Sequence, residues 1–264
     1  AVKLGEVVGV SESTAVRFPA ALGFSWYPEV PNALVDILHE KIHSFDRIDV
    51  LNSHMTPNMV VNNVMSMDAR KIEHTLKSFD TASFDMAVED IMAAESVYII
   101  GARACEPLAE FFGYYLRLVK KNVQVVKTGN TNELFEQMMY IGEGDVAIGI
   151  SFPRYSMRTL KAMEFANNRK ARVIAITDSV HSPMNMYSSC SLFARSDMAS
   201  IVDSLVAPMS LINALIVSIC LKNSEQVVEN IEKINTFVDN FEYSGNDEIN
   251  MLDENVVNEL RKCM

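Results

Sequence analysis

The sequence predicts an α/β fold built on a doubly wound parallel sheet, and two observations carry that expectation. From Ser96 onward, five short β-rich runs follow one another: "SVYIIG", "VQVVKT", "DVAIGIS", "ARVIAIT" and "SCSLFA". Helical stretches lie between or beside them at 107–119, 132–139, 157–168 and 183–187. Strand and helix alternating at this spacing is the pattern of a parallel sheet with helices on both faces. The second observation is bulk composition: 264 residues with 49% hydrophobic and 22% charged side chains are enough for one sizeable core plus an appended module.

Upstream of the sheet the period changes. Between 56 and 94, apolar residues recur at spacings of four and then three: Val60, Val64, Met67, then Ile72, Leu76, Phe79, then Phe84, Val88, Ile91. This spacing predicts a helical connector. Before it, up to about His43, short helical patterns are broken by Gly9, Gly23, Pro28 and Pro31. Downstream, the apolar run 205–221 falls short of the roughly 20 residues of a membrane span and contains Pro208, Ser210, Asn213 and Ser218, so it reads as a buried helix. The expected division is 1–50, 51–94, 95–222 and 223–264.

Charge and cysteine usage narrow the classes. The net charge is −11, but it is uneven: 223–264 holds ten acidic and three basic residues, a balance of −7 that leaves −4 for the remainder. An acidic tail opposes nucleic acid only within about 8 to 10 Å at ordinary salt, so the overall sign does not exclude DNA as a partner. The tail is expected to pack through Val227, Val228, Ile231 and Ile234. Cys105, Cys190, Cys220 and Cys263 form no CxxC, which predicts reduced thiols, no disulfide framework and no metal site. No basic, apolar and small-residue succession opens the sequence, so the expected location is cytoplasmic, without a membrane partner.

Ligands of such sheets bind where strands run into helix N-termini. Two strand ends stand out. In "IIGARACEPLAEF", Gly101 ends a strand and Arg103 and Cys105 open the next helix; the single glycine is no dinucleotide fingerprint, so no cofactor is expected. In "GISFPRYSMRTLKAMEF", Ser151, Ser156 and Thr159 offer hydroxyls and Arg154 and Arg158 offer guanidinium groups at a strand-to-helix junction. Hydroxyls with backbone N–H groups there form an anion site, and arginine adds charge-assisted bonds to phosphate. Helix capping alone is the alternative role for each serine.

Over 96–221 the chain resembles the SIS (sugar isomerase) domain, through "VYIIG", "GDVAIGIS", "VIAITDSVHSP" and the Ser/Thr-rich loop in that order. The resemblance implies a five-stranded parallel sheet in an α/β/α sandwich that binds phosphosugars. It implies a phosphosugar site at Gly101, Arg103, Cys105, Ser151, Arg154, Ser156 and Thr159. The family's S-x-S-x-x-T loop is stretched here, with four residues between Ser151 and Ser156, and its serine pair after the first glycine is replaced by Ala104 and Cys105.

With that context, "LGEVVGVSESTAVRFPAALGFSWYPEVPNAL" resembles the helix-turn-helix of RpiR-type transcription regulators. The resemblance implies a second helix at 4–8, a turn at Gly9 and Val10, and a recognition helix capped by Ser11, with Ser11, Ser13, Thr14 and Arg17 facing operator DNA. It also implies a helix or two before this point, so the segment is either a fragment or a degenerate module. Pro19 lies inside the expected recognition helix, where proline costs about 3 kcal/mol or forces a kink. Residues 1–50 hold four basic against seven acidic side chains, a weak footprint for phosphate contacts.

The expected function is a transcriptional regulator that senses a phosphosugar effector and binds operator DNA as a homo-oligomer, a dimer or tetramer. The alternative is a phosphosugar isomerase, whose general acid and base would come from Glu106, Glu133 or His181. Helix-dipole placement explains Glu106 and a solvated loop explains His181, so no catalytic residue is assigned.

Overall fold

The computed structural model describes residues 60–196 and 203–240. The DNA contacts expected at Ser11, Ser13, Thr14 and Arg17 lie outside these residues, as does the acidic segment beyond 240.

Among the described residues two helices precede the sheet, α1 (Val60–Lys77) and α2 (Thr81–Ala93). Asp80 caps α2, accepting the Ala82 N–H at 3.0 Å and the Ser83 hydroxyl at 2.6 Å. At its far end the Lys120 ammonium donates to the carbonyls of Met92 at 2.8 Å and Ala94 at 2.6 Å, satisfying the carbonyls that the ending helix leaves open. The apolar spacing selects the buried face of α2, where Phe84, Val88 and Ile91 enter the core. In α1 it does not: Val60, Val64, Ile72 and Leu76 are exposed, whereas Lys71 and Thr75 are buried. Lys71 pairs with Asp68 at 3.1 Å, and Thr75 accepts the Arg195 N–H at 3.0 Å. Specific polar partners and packing on the later helix Val206–Lys222 thus hold α1, and most of its apolar row faces outward.

The sheet comprises β1 (Val97–Gly101), β2 (Val123–Val126), β3 (Val146–Ile150), β4 (Arg172–Thr177) and β5 (Cys190–Phe193), all parallel, in the order β2-β1-β3-β4-β5. Between the strands run α3 (Glu106–Leu116), α4 (Thr131–Gln137) and α5 (Met157–Asn168), and after β5 come α6 (Val206–Lys222) and α7 (Ser224–Asn240). The stretch expected to be helical at 183–187 is a single 3-10 turn, Pro183–Met186, capped by Ser182; it leads straight into β5, with no room for a second turn.

Alternate residues of each strand feed two cores. Val97, Ile99, Val146, Ile148, Ile150, Ile174 and Ile176 pack against α2, α3 and α6. Tyr98, Ile100, Ala147, Val173 and Ala175 pack against α4 and α5. A sheet covered on both faces requires strands apolar at every position, which is why these runs read as continuous rather than alternating. The Asp90 carboxylate on α2, 4% exposed, pairs with Arg172 at the start of β4 and pins this helix to the sheet.

Helix α6 buries Leu211, Ile212, Leu215, Ile216 and Ile219 and shows Val217 and Leu221 to the outside. No single helix among the described residues is long and apolar enough to cross a membrane. On α7, Val227 packs against the first core and Asn230 donates to the Leu118 carbonyl at 2.8 Å, but Val228 and Ile234 are exposed. The row expected to pack together therefore splits, with Val227 at the core and Val228 and Ile234 turned to the outside.

Candidate functional site

In this strand order the connection that leaves β1 runs to β2 on one side, and the connection that leaves β3 runs to β4 on the other. The carboxyl ends of β1 and β3 therefore flank a crevice that no crossover fills, the usual ligand position in open α/β sheets. A cleft of about 160 Å³ opens there, lined by residues 102–105 after β1, residues 151–154 and Ser156 after β3, and Asp203 and Leu205 before α6.

The β1 wall depends on Gly101. A Cβ at this position would collide with the Cys105 carbonyl oxygen and lie 3.0 Å from the Ala109 Cβ, so only glycine lets the 3-10 turn Arg103–Cys105 fold back on the strand end. Arg103 adopts a left-handed φ of 57°, at a cost on the order of 1 kcal/mol. Its exposed side chain is at the rim of the cleft. Cys105 is buried beneath it, and burial pushes its thiol pKa up to about 11 against a partial counter-effect from a Phe152 backbone hydrogen bond. At neutral pH it is an uncharged thiol.

The β3 wall is built by hydroxyls. Ser151, buried, accepts the Ser156 N–H at 3.1 Å, closing the loop of four residues between them. Ser156 is the N-cap of α5, with its oxygen 3.5 Å from the Thr159 N–H. Between them Arg154 takes a left-handed φ of 68° and directs its guanidinium to Asp203 at 2.7 Å. Tyr155 donates to Asp178 at 2.7 Å, tying this loop to the end of β4.

Five of the residues expected at the phosphosugar site converge on the cleft: Arg103, Cys105, Ser151, Arg154 and Ser156. Two do not line it. Gly101 acts through the turn it permits, and Thr159 sits behind the loop, fully buried, its hydroxyl without a partner among the described residues. Arg158 turns away and donates to the Thr128 carbonyl at 2.6 Å, bracing the loop against the end of β2. Glu106, Glu133 and His181 do not line the cleft, and the last two are exposed.

Asp203 is the residue that sequence reasoning missed. It lies 49 positions from Arg154, and the one signal for it was topological: it precedes the helix after β5, at the same sheet edge as the other strand ends.

Comparison with known proteins agrees with this geometry. Residues 90–218 match the SIS domain family. An uncharacterised HTH-type transcriptional regulator of Haemophilus influenzae is 26% identical over 182 residues, or 67% of this chain; the match spans 62% of that relative's length. The HTH-type transcriptional regulator RpiR of Escherichia coli K12 is 25% identical over 252 residues, covering 90% of this chain and 80% of that protein. Among solved structures, Vibrio vulnificus NanR complexed with ManNAc-6P aligns with a TM-score of 0.61 at 18% identity, covering 92% of this chain and 86% of its own. Residues 90–218 are thus a SIS domain, in a chain that resembles the RpiR-type transcriptional regulators along most of its length.

Proposed function

We propose that the chain is a transcriptional regulator whose SIS domain senses a phosphosugar in the cleft between β1 and β3, and whose first 50 residues bind operator DNA. What supports the sensor reading most is that the Ser151 and Ser156 hydroxyls, the N-terminus of α5 and two arginines meet at one strand-end crevice. Unpaired N–H groups and hydroxyls at a helix start favour an anion, and Arg103 and Arg154 add positive charge at the rim. The cleft is smaller than the roughly 300–1,000 Å³ of a typical small-molecule site, which suits a phosphate seated at its floor with the sugar towards the open side. That NanR was solved with a sugar phosphate supports the same ligand class.

Binding without turnover is the favoured reading. Among the described residues, none of Glu106, Glu133 and His181 lines the cleft, and its one carboxylate, Asp203, is engaged by Arg154. The DNA-facing residues remain Ser11, Ser13, Thr14 and Arg17, and the proposed division is 1–50, 51–94, 95–222 and 223–264. A homodimer is proposed because paired recognition helices about 34 Å apart would match a palindromic operator.

The test is thermal unfolding of the chain against sugar phosphates and their unphosphorylated parents, repeated with Arg154→Ala and Ser156→Ala. A ligand at one hundred times its dissociation constant should stabilise the protein by about 2.7 kcal/mol. Stabilisation by one sugar phosphate that both variants lose supports the sensor; catalytic turnover of that compound would replace it with the isomerase reading.

A further inference from the structure

Three consecutive residues between β5 and α6 connect the cleft, the connector helix and the first core. Asp203 reaches into the cleft and holds the Arg154 guanidinium at 2.7 Å. Ser204 points to the connector helix and donates to Asp68 on α1 at 2.6 Å. Leu205 packs against the first core and its carbonyl accepts the Met209 N–H at the start of α6. This segment is therefore anchored on the core at one end and joins the cleft to α1 through adjacent side chains.

The cleft end of this link carries the wrong sign for its proposed ligand. Asp203 is a carboxylate on the wall of a site proposed to take an anion, and it occupies one of the two rim arginines. A phosphate and Asp203 compete for Arg154, and the two like charges repel when both are present. The pair is open to water on the arginine side, with Arg154 58% and Asp203 18% exposed, so a dianionic phosphate held also by the Ser156 N-cap region is the stronger partner.

The far end of the link is one of two polar attachments of α1, a helix that also packs against α6. Thr75 accepts the Arg195 N–H at 3.0 Å near the C-terminal end of the helix, and Asp68, midway along it, takes Ser204 while pairing with Lys71. Loss of the Ser204 bond leaves the Thr75 attachment in place and loosens the half nearer residue 60, whose remaining hold is packing. That is the half that leads to the N-terminal segment.

We infer that Asp203 is a resident counter-ion that phosphate displaces from Arg154, and that this displacement is passed through Ser204 to Asp68, loosening the first half of α1. The inference rests on the phosphate site proposed above and assigns its regulation to one carboxylate and one hydroxyl. Coupling of this kind requires only that phosphate bind the two arrangements of residues 203–205 unequally.

Inorganic phosphate serves as the probe, with the full chain, Asp203→Asn, Ser204→Ala, Ser204→Thr and Arg154→Ala. Calorimetry gives affinity, and amide hydrogen exchange follows α1. Asp203→Asn is expected to bind phosphate about fivefold more tightly, the change in affinity that removing one partly exposed competing charge produces. Phosphate is expected to speed exchange at 60–68 of the unmodified protein and leave 72–77 unchanged. Ser204→Ala, which already lacks the bond to Asp68, should bind phosphate more tightly than the unmodified chain and exchange rapidly at 60–68 with or without phosphate, and Ser204→Thr should restore both the affinity and the response. Phosphate binding with no change in α1, or no tightening in Asp203→Asn, overturns the relay and leaves the sensor site standing. Failure of phosphate to bind either the unmodified chain or Asp203→Asn overturns both.

Discussion

The Ser151 hydroxyl accepts the backbone N–H of Ser156 at 3.1 Å, with both residues buried, so one of the hydroxyls expected to hold phosphate also serves as the internal brace of its own loop. Replacing Ser151 by alanine leaves the buried Ser156 N–H without its protein partner. We expect Ser151→Ala to lower stability by about 1–3 kcal/mol, the cost of orphaning a buried donor, and to weaken sugar-phosphate binding as well. Urea unfolding measures the first effect. A variant as stable as the parent would mean the loop does not depend on this bond.

Gly101→Ala is predicted to be more disruptive to the site than to the fold. The new methyl would collide with the Cys105 carbonyl oxygen and crowd Ala109, pushing the turn that carries Arg103 away from the strand end. Crowding of this kind costs about 1–3 kcal/mol. Gly142→Ala is the control, because a Cβ there meets nothing within 4 Å and the backbone is not left-handed. Thermal unfolding with and without ligand should show the first variant destabilised and unresponsive and the second close to the parent.

The Cys105 thiol makes stability depend on alkaline pH. Burial raises its pKa from 9.0 to about 11, so the folded state keeps a proton that the unfolded chain has lost. The stabilisation is complete below pH 9 and falls away as pH rises towards 11, by about 2–3 kcal/mol in all. Unfolding free energies measured across this window should slope downward, and Cys105→Ser should flatten the slope. The same burial predicts slow alkylation of Cys105 at pH 7.5 in the native protein.

Asp90 and Arg172 should respond unequally to truncation. Arg172 is 64% exposed and Asp90 4%, so Arg172→Ala strands a carboxylate in the interior while Asp90→Ala returns a guanidinium to water. We expect about 1–3 kcal/mol for the first and less for the second, with Arg172→Ala partly rescued by adding Asp90→Asn. Equal losses in the two single variants would contradict the asymmetry.

Much of the sheet domain was legible before any coordinates. The five strands fall within the five β-rich runs, and the helix expected at 157–168 is Met157–Asn168. Strands covered on both faces have to be apolar throughout, and that constraint leaves its mark on a short stretch of sequence without reference to anything distant. The residues of the cleft were readable for a related reason: a hydroxyl-rich loop between a strand and a helix stands at the sheet edge where ligands bind, whatever else the fold does.

What tertiary structure decided are pairings between residues far apart in the chain. Periodicity marks the apolar row of α1 as its inner face, yet Lys71 and Thr75 are buried because Asp68, Ser204 and residue 195 supply them with a polar seat. Arg154 reads as a free phosphate ligand until Asp203, 49 positions on, is brought beside it, and Arg158 reads as its companion until the Thr128 carbonyl claims it. Local sequence determines the elements and which loops carry chemistry, because both follow from backbone preference and the burial of neighbouring side chains. Which charges meet depends on how crossovers bring distant strand ends together, and no local pattern encodes that distance.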